Sequence, residues 1–276
     1  MGKAKSTDAS DLAFKVGKCL LKDGHTQESV IMNEYVVAME EKALVVDHPS
    51  LLAFKHNTAV AYLKNGQVEE AISVFEHVLM TEENILAADH PYLLTSQHEL
   101  GREYLDNGQA EKAISMLEYV VEMREETPEA DDSELLMSQH ELAVAHLNNS
   151  QVEKAIPMFQ HVLVMQGKTL AADHSSFLAS QHNLAVAYLK NDQNKEALST
   201  LERRLVVEQK TLGVDHPLFL ATQHELARVY LSSGHVAKAV SMLECLLLMQ
   251  EKALAADHPS LLASQYELGR AYNTNA

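Results

Sequence analysis

A chain of 276 residues, 46% hydrophobic and 22% charged, is long enough to bury a substantial core and has the balance of an ordinary soluble globular protein. Its formal net charge of −17, with no compensating run of Lys or Arg, argues against nucleic acid and against an anionic membrane surface as partners. Tryptophan is absent, aromatics make up 5%, and 10 Gly with 6 Pro are too few for a turn-rich β fold, so helices are expected.

The first residues, MGKAKS, fit the short myristoylation pattern through Gly2 and Ser6, for which a chance match is the simpler reading. No h-region follows Met1, and no apolar run approaches the ~20 residues of a membrane span. Residues 1–8 are expected to be a flexible segment, and 9–276 a single array. The two cysteines, Cys19 and Cys245, form no disulfide framework and match no zinc spacing, which fits a reducing, cytoplasmic setting.

A first helix is expected at about Asp11 to Lys22, closed by Asp23-Gly24. From there an Asp-His-Pro junction punctuates the chain: Asp47, Asp89, Asp131, Asp173, Asp215 and Asp257 stand 42 residues apart without insertion. A fixed period of this size marks a solenoid or array. The third copy is degenerate (Asp131-Asp132-Ser133), and the fourth has Ser175 where others carry Pro49, Pro91, Pro217 or Pro259.

Each unit reads as two helices. Proline suits the first turn of the first helix, where its missing N–H is not needed. Leu94, Leu100, Gly101, Tyr104 and Leu105 then recur at helical spacing, with equivalents in the other copies. The small residues Ala59, Gly101, Ala143, Ala185, Ala227 and Gly269 allow close helix approach. Asn65-Gly66, Asn107-Gly108 and Ser233-Gly234 supply the left-handed residue that ends a helix. The longer second helix puts Ala113, Leu117, Val120 and Val121 on one face. The last helix, Leu261 to Asn273, has no second helix after it and reads as a cap. Thirteen helices are expected, without linkers or strands.

The pattern Leu100-Gly101-x-x-Tyr104, followed by Gly108, Ala113 and Leu117, resembles the tetratricopeptide repeat. The 42-residue length with Asp-His-Pro between units is similar to the variant in kinesin light chains and in the C-terminal arrays of fungal NLR-like proteins. The resemblance covers essentially the whole chain. It implies an all-α, right-handed superhelical solenoid whose first helices line a concave groove and whose second helices form a convex back. It also implies a protein–protein interaction scaffold. No GxxxxGK[ST] occurs, so the nucleotide switch of a full NLR-like protein is not present in this sequence.

Ten of the 15 histidines fall into two columns. His48, His90, His174, His216 and His258 stand at the junctions, where a turn and helix-cap role explains them. His56, His98, His140, His182 and His224, with Tyr266 in the sixth place, lie within first helices. Residues i and i+4 share a helix face, so His98 lies with Arg102, His224 with Arg228 and Tyr266 with Arg270. If the resemblance holds, this face looks into the groove. The column then either contacts a peptide or partner segment or closes a packing ladder between repeats. Arg102, Arg228, Arg270, Lys64 and Lys190 are expected to favour acidic side chains on such a ligand.

A metal site is not expected, because successive first helices are too far apart for two histidines to share one ion and no cysteine helps. No cofactor is implied. A repeated column suits recognition better than catalysis, which is one asymmetric constellation. The rival reading is a small-molecule or catalytic groove using the repeated His and Tyr residues. The open solenoid ends also offer a surface for self-association. The acidic run Glu125 to Glu134 reads as a solvated turn or a docking patch for a basic partner. The tyrosine column (Tyr62, Tyr104, Tyr188, Tyr230, Tyr272, with His146 once) reads as the packing knob of each repeat.

Overall fold

The computed structural model describes residues 3–127, 132–255 and 257–275. Among them every regular element is an α-helix. In order these are α1 (Lys3–Lys22), α2 (Thr26–Glu40), α3 (Pro49–Lys64), α4 (Val68–Ile85), α5 (Pro91–Asp106), α6 (Ala110–Glu126) and α7 (Asp132–Asn148). There follow α8 (Val152–Thr169), α9 (Ser175–Lys190), α10 (Asn194–Thr211), α11 (Pro217–Ser232), α12 (Val236–Ala253) and α13 (Pro259–Asn275). The thirteen helices follow the 42-residue period. One boundary differs: α1 begins at Lys3, ahead of the expected start near Asp11. Gly2 lies outside the described residues, as do residues 128–131 of the acidic run.

The helices pack in two compact units, residues 1–145 and 146–276. In the first unit α2 packs between α1 and α3, and α4 between α3 and α5. In the second unit α10 packs between α9 and α11, and α12 between α11 and α13. Odd-numbered helices are therefore first helices and even-numbered ones second helices.

The junction histidines start the first helices. Nδ1 of His48, His90, His174, His216 and His258 each accepts the backbone N–H two residues on, at 3.2 Å. An N-cap acceptor satisfies one of the free N–H groups of the first turn. It also sets the tautomer: a bare Nδ1 leaves the ring proton on Nε2.

The first helices α1, α3, α5, α7, α9 and α11 each end in a Schellman turn. Gly66 N–H donates to Leu63 C=O (3.0 Å) and Gln67 N–H to Tyr62 C=O (2.9 Å); the Gly108/Gln109 and Gly234/His235 turns repeat this. The glycines have φ of 78°, 72° and 76°, the left-handed region. Two copies lack glycine there and hold Ser150 (φ 60°) and Asp192 (φ 56°) in the same conformation. The second helix starts at once, so two antiparallel helices meet with almost no loop between them.

Small residues let those helices close. Ala59, Ala143, Ala185 and Ala227 on first helices, and Ala71, Ala113, Ala155, Ala197 and Ala239 on second helices, are fully or almost fully buried. At Gly101 a Cβ would stand 3.0 Å from Leu117 Cγ, so this hairpin is closer than alanine allows without a shift. In the second unit Phe219, Leu220, Ala227, Leu243 and Leu246 form one cluster, against which Leu268 of α13 packs. Leu262 and Tyr266 of α13 are exposed.

A serine in the left-handed region carries a steric cost of about 1 kcal/mol that glycine does not. Ser150→Gly is therefore expected to raise unfolding stability by up to about that amount, and Asp192→Gly by less, because Asp tolerates the conformation better. Urea denaturation followed by circular dichroism measures this. Loss of stability in both variants would contradict the turn assignment.

Candidate functional site

Four of the within-helix histidines, His56, His98, His182 and His224, sit at seams between successive first helices of one unit. In the first unit His98 of α5 is 6% exposed, and its Nδ1 lies 3.0 Å from Ser138 Oγ on α7. Ser138 Oγ also donates to Glu134 C=O and accepts from Arg124 Nη1. A hydroxyl has one proton, which goes to the carbonyl, so His98 must donate through Nδ1–H. In the second unit the same logic applies to His224 of α11. Its Nδ1 is 3.0 Å from Ser264 Oγ on α13, and Ser264 donates to Ser260 C=O.

At two other seams a carboxylate takes the place of serine. His182 Nδ1 on α9 is 3.0 Å from Glu225 Oε2 on α11, and His56 Nε2 on α3 is 3.9 Å from Glu99 Oε2 on α5. The His56 ring also lies edge-on to Phe75, with centroids 5.3 Å apart. A carboxylate only accepts, so His182 is also the Nδ1–H form. An uncharged ring that donates through Nδ1–H leaves Nε2 as an acceptor.

Burial favours the uncharged form of four rings of the column, His56, His98, His140 and His224. It pulls His98 and His140 down to about 4, with Arg124 and then Arg102 adding to the effect at His98. His224 is lowered by burial and by Arg228, against Glu267 and Glu225. His56 is lowered by burial, opposed by Glu99 and aided by Lys18.

The expected basic residues are largely engaged with protein groups. Arg102 Nη2 is 3.4 Å from Glu103 Oε1. Arg228 Nε and Arg270 Nη1 both face Glu267, at 3.6 and 2.9 Å. Lys190 Nζ donates to Leu147 C=O at 3.3 Å, while Lys64 is exposed. Tyr266 is 67% exposed on α13 and sits beyond the last seam.

Two adjoining cavities open on the first-helix face of the second unit. One, of about 380 Å³, lies between α9 and α11 over Arg204 of α10; His182, Thr222 and Glu225 line it. The other, of about 470 Å³, lies between α11 and α13 over Gln250 of α12; His224, Glu225, Arg228 and His258 line it. In the first unit a shallower cavity of about 520 Å³ is lined by Gln97, Tyr104 and Lys112 among others, and holds none of the histidine column. Among the described residues no group of three or more His, Cys, Asp or Glu can hold a metal ion.

Several participants were not singled out in the sequence. The tyrosine column does more than pack: Tyr62, Tyr104, Tyr230 and Tyr272 donate to Glu34, Glu76, Glu202 and Glu244 at 2.5–2.6 Å, each from a first helix to the second helix before it. Tyr188 accepts from Gln160 in the same place. Burial and the glutamate bond push Tyr62 and Tyr230 up to about 12. The acidic partners recur every 42 residues, a signal present in the sequence. At the degenerate third junction Arg124, 5% exposed, bonds the Glu134 carbonyl and carboxylate and Ser138. Arg204 and Glu208, 5% and 0% exposed, form a buried pair at 2.7 Å within α10.

Fold and site together define an array of helical hairpins joined by side-chain bonds between successive first helices. A tetratricopeptide repeat model matches residues 50–126 and 176–252, and the chain belongs to that family. It is similar to the crystal structure of kinesin light chain-like, nearly identical TPR-like repeats from Podospora anserina, with 41% identity. That likeness covers 73% of this chain and 95% of the other, at a TM-score of 0.66. The fold, at 13% identity, is also similar to a Pyrococcus horikoshii signal transduction ATPase with a tetratricopeptide repeat sensor. There the TM-score is 0.75 over 98% of this chain and 40% of the other. A further likeness is to the Cut9–Hcn1 hetero-tetramer of the APC/C, at 19% identity and a TM-score of 0.63, covering 98% of this chain and 45% of the other. No curated protein matches the chain. The repeat is in general a protein–protein interaction scaffold. Among the described residues no helix is long and apolar enough to cross a membrane.

His98 titrates well below an ordinary histidine, so its sign is fixed. The unfolded chain takes up the proton first as pH falls below 6.5, and the native state follows only near 4. The stability it contributes is full above pH 6.5 and is lost between there and pH 4, about 3 kcal/mol in all. His98→Asn keeps an N–H for Ser138 but cannot titrate. Across this window wild type should lose stability relative to His98→Asn in urea unfolding; parallel pH curves would refute the assignment.

Proposed function

We propose that the first-helix face of the second unit recognises an extended segment of a partner protein or peptide, without a cofactor. The observation that carries this reading is the pair of adjoining cavities, which share Ala221 and Glu225 and hold His182 and His224 at the same register. An extended segment presents N–H and C=O groups in alternation and needs both acceptors and donors. His224 Nε2 and Gln250 Oε1 supply acceptors; Arg228 and the Nε2–H of His258 supply donors. The general use of this repeat as an interaction scaffold supports the reading.

His98 belongs to the seam rather than to this surface, since it is buried against Ser138 and Arg124. In the first unit the residues left for an equivalent face are His56, Lys64, Arg102 and His140. Arg102, Arg228 and Arg270 each stand against a glutamate, so acidic groups on a ligand compete with protein carboxylates for them. The cavity of about 470 Å³ also has the size of a small-molecule site, which keeps the rival reading specific.

The test is a display library of short random peptides, with affinity of an enriched peptide measured by fluorescence anisotropy. His182→Ala/His224→Ala should weaken binding roughly tenfold or more, the loss of one or two hydrogen bonds. Val206→Ser, at an exposed position of α10, should leave it unchanged. Because His224 is lowered, binding should persist at pH 6.5 and decline only below it, as Nε2 gains its proton. Peptide affinity unaffected by the double variant, in a protein of normal stability, would leave the histidines with packing alone. Competition by a small molecule but by no peptide would favour the rival.

A further inference from the structure

The cavity between α9 and α11 departs from the repeat in one respect. Position 204 in the 42-residue register is filled elsewhere by Val36, Val78, Val120, Val162 and Leu246, all at most 2% exposed core residues. Here it is Arg204. Its Nε donates to Glu208 Oε1 at 2.7 Å, but its Nη1 has no partner although the side chain is 5% exposed. A buried ion pair of this kind is seldom more stable than the apolar residues it replaces, and an unpaired buried donor costs more still.

A second unpartnered group lines the same cavity. Thr222 stands where Ser138, Ser180 and Ser264 stand in other copies. Each of those donates to the carbonyl four residues back, whereas Thr222 Oγ1, in a residue 1% exposed, has no partner. His182 turns to Glu225 instead of to Thr222, in contrast to the bonds His98 and His224 make with serine. One cavity of about 380 Å³ thus holds an unused N–H, an unused hydroxyl and, at its side, a carboxylate.

We propose that this cavity is a subsite for a neutral carboxamide, the side chain of Gln or Asn in a bound segment; this rests on the recognition surface proposed above. The amide oxygen accepts from Arg204 Nη1–H and the Thr222 hydroxyl after a small side-chain rotation. The amide NH₂ donates to the Glu225 carboxylate. A carboxylate ligand fits less well, because Glu208 already neutralises Arg204 and Glu225 adds a negative charge beside the site. An aliphatic side chain would leave both donors unpaired.

The probe is N-acetyl-glutamine methylamide, titrated against the full chain while the Arg204 Nε–H and Thr222 backbone amide are followed by NMR. The glutamate and norleucine analogues serve as comparisons. Two variants spare the fold: Thr222→Val removes only the hydroxyl, and Arg204→Val/Glu208→Gln installs the pair that α8 carries in this register, Val162 and Gln166. Wild type should show saturable shifts with the glutamine probe, roughly tenfold weaker in Thr222→Val, the worth of one hydrogen bond. They should be lost in the double variant, whose stability stays equal or rises. Absent shifts, shifts unchanged in both variants, or tighter binding of the glutamate analogue would each overturn the proposal. If the probe fails while peptide binding still needs His182 and His224, the subsite alone falls and the recognition surface stands.

Discussion

The constraint on which the rest depends is the left-handed residue that joins a first helix to its second helix. Two bonds, such as Gly108 N–H to Leu105 C=O and Gln109 N–H to Tyr104 C=O, end the helix and reverse the chain within a few residues. Because the turn is the same in every copy, the two helices of a hairpin meet at the same depth and in the same register. Constant offsets follow from that: histidine to serine 40 residues on, histidine to glutamate 43 on, tyrosine to glutamate 28 back. Where glycine is absent, Ser150 and Asp192 still adopt the conformation, so the turn is kept at a steric cost.

The parts legible in the sequence are those whose physics is local. Proline at the first helical position, a cap acceptor before it and a left-handed residue after the helix are separated by a few residues, and a 42-residue period repeats them. The junction histidines belong to this class, since Nδ1 of a His before Pro or Ser caps the N–H groups of the turn it begins. The earlier start of α1 is not legible in the same way, because no junction motif precedes it and the repeat spacing alone predicts a later start.

The seam partners were not legible, and the reason is geometric. His98 and His182 occupy the same register, yet one bonds Ser138 and the other Glu225. The choice depends on the whole neighbourhood: Arg124 feeds the Ser138 hydroxyl, while position 222 carries a threonine. Glu99 and Glu225, each beside a column histidine in sequence, pointed away from that neighbour, as helix geometry requires, and served His56 and His182 one repeat earlier instead. The Tyr–Glu bonds could have been found, since Glu34, Glu76, Glu202 and Glu244 recur with the tyrosines. What hid them was the assumption that a repeated aromatic only packs.

Charge is organised by local pairing. With −17 overall, three arginines of the first-helix face are held against carboxylates: Arg102 at Glu103, Arg228 and Arg270 at Glu267. A surface so arranged is a poor general attractor for acidic ligands, because a guest carboxylate must displace a resident one. It is better suited to neutral hydrogen-bonding groups, whose recognition depends on direction rather than net charge. Burial reinforces this by holding His98, His140 and His224 uncharged, so the column presents acceptors where protonated rings would present cations. On the proposed recognition reading, specificity lies in the departures from the repeat. Identical hairpins give identical subsites, and a segment could slide from one to the next. Arg204 and Thr222 make one cavity unlike its neighbours and so offer a register mark, at the expense of a core position that valine or leucine fills elsewhere.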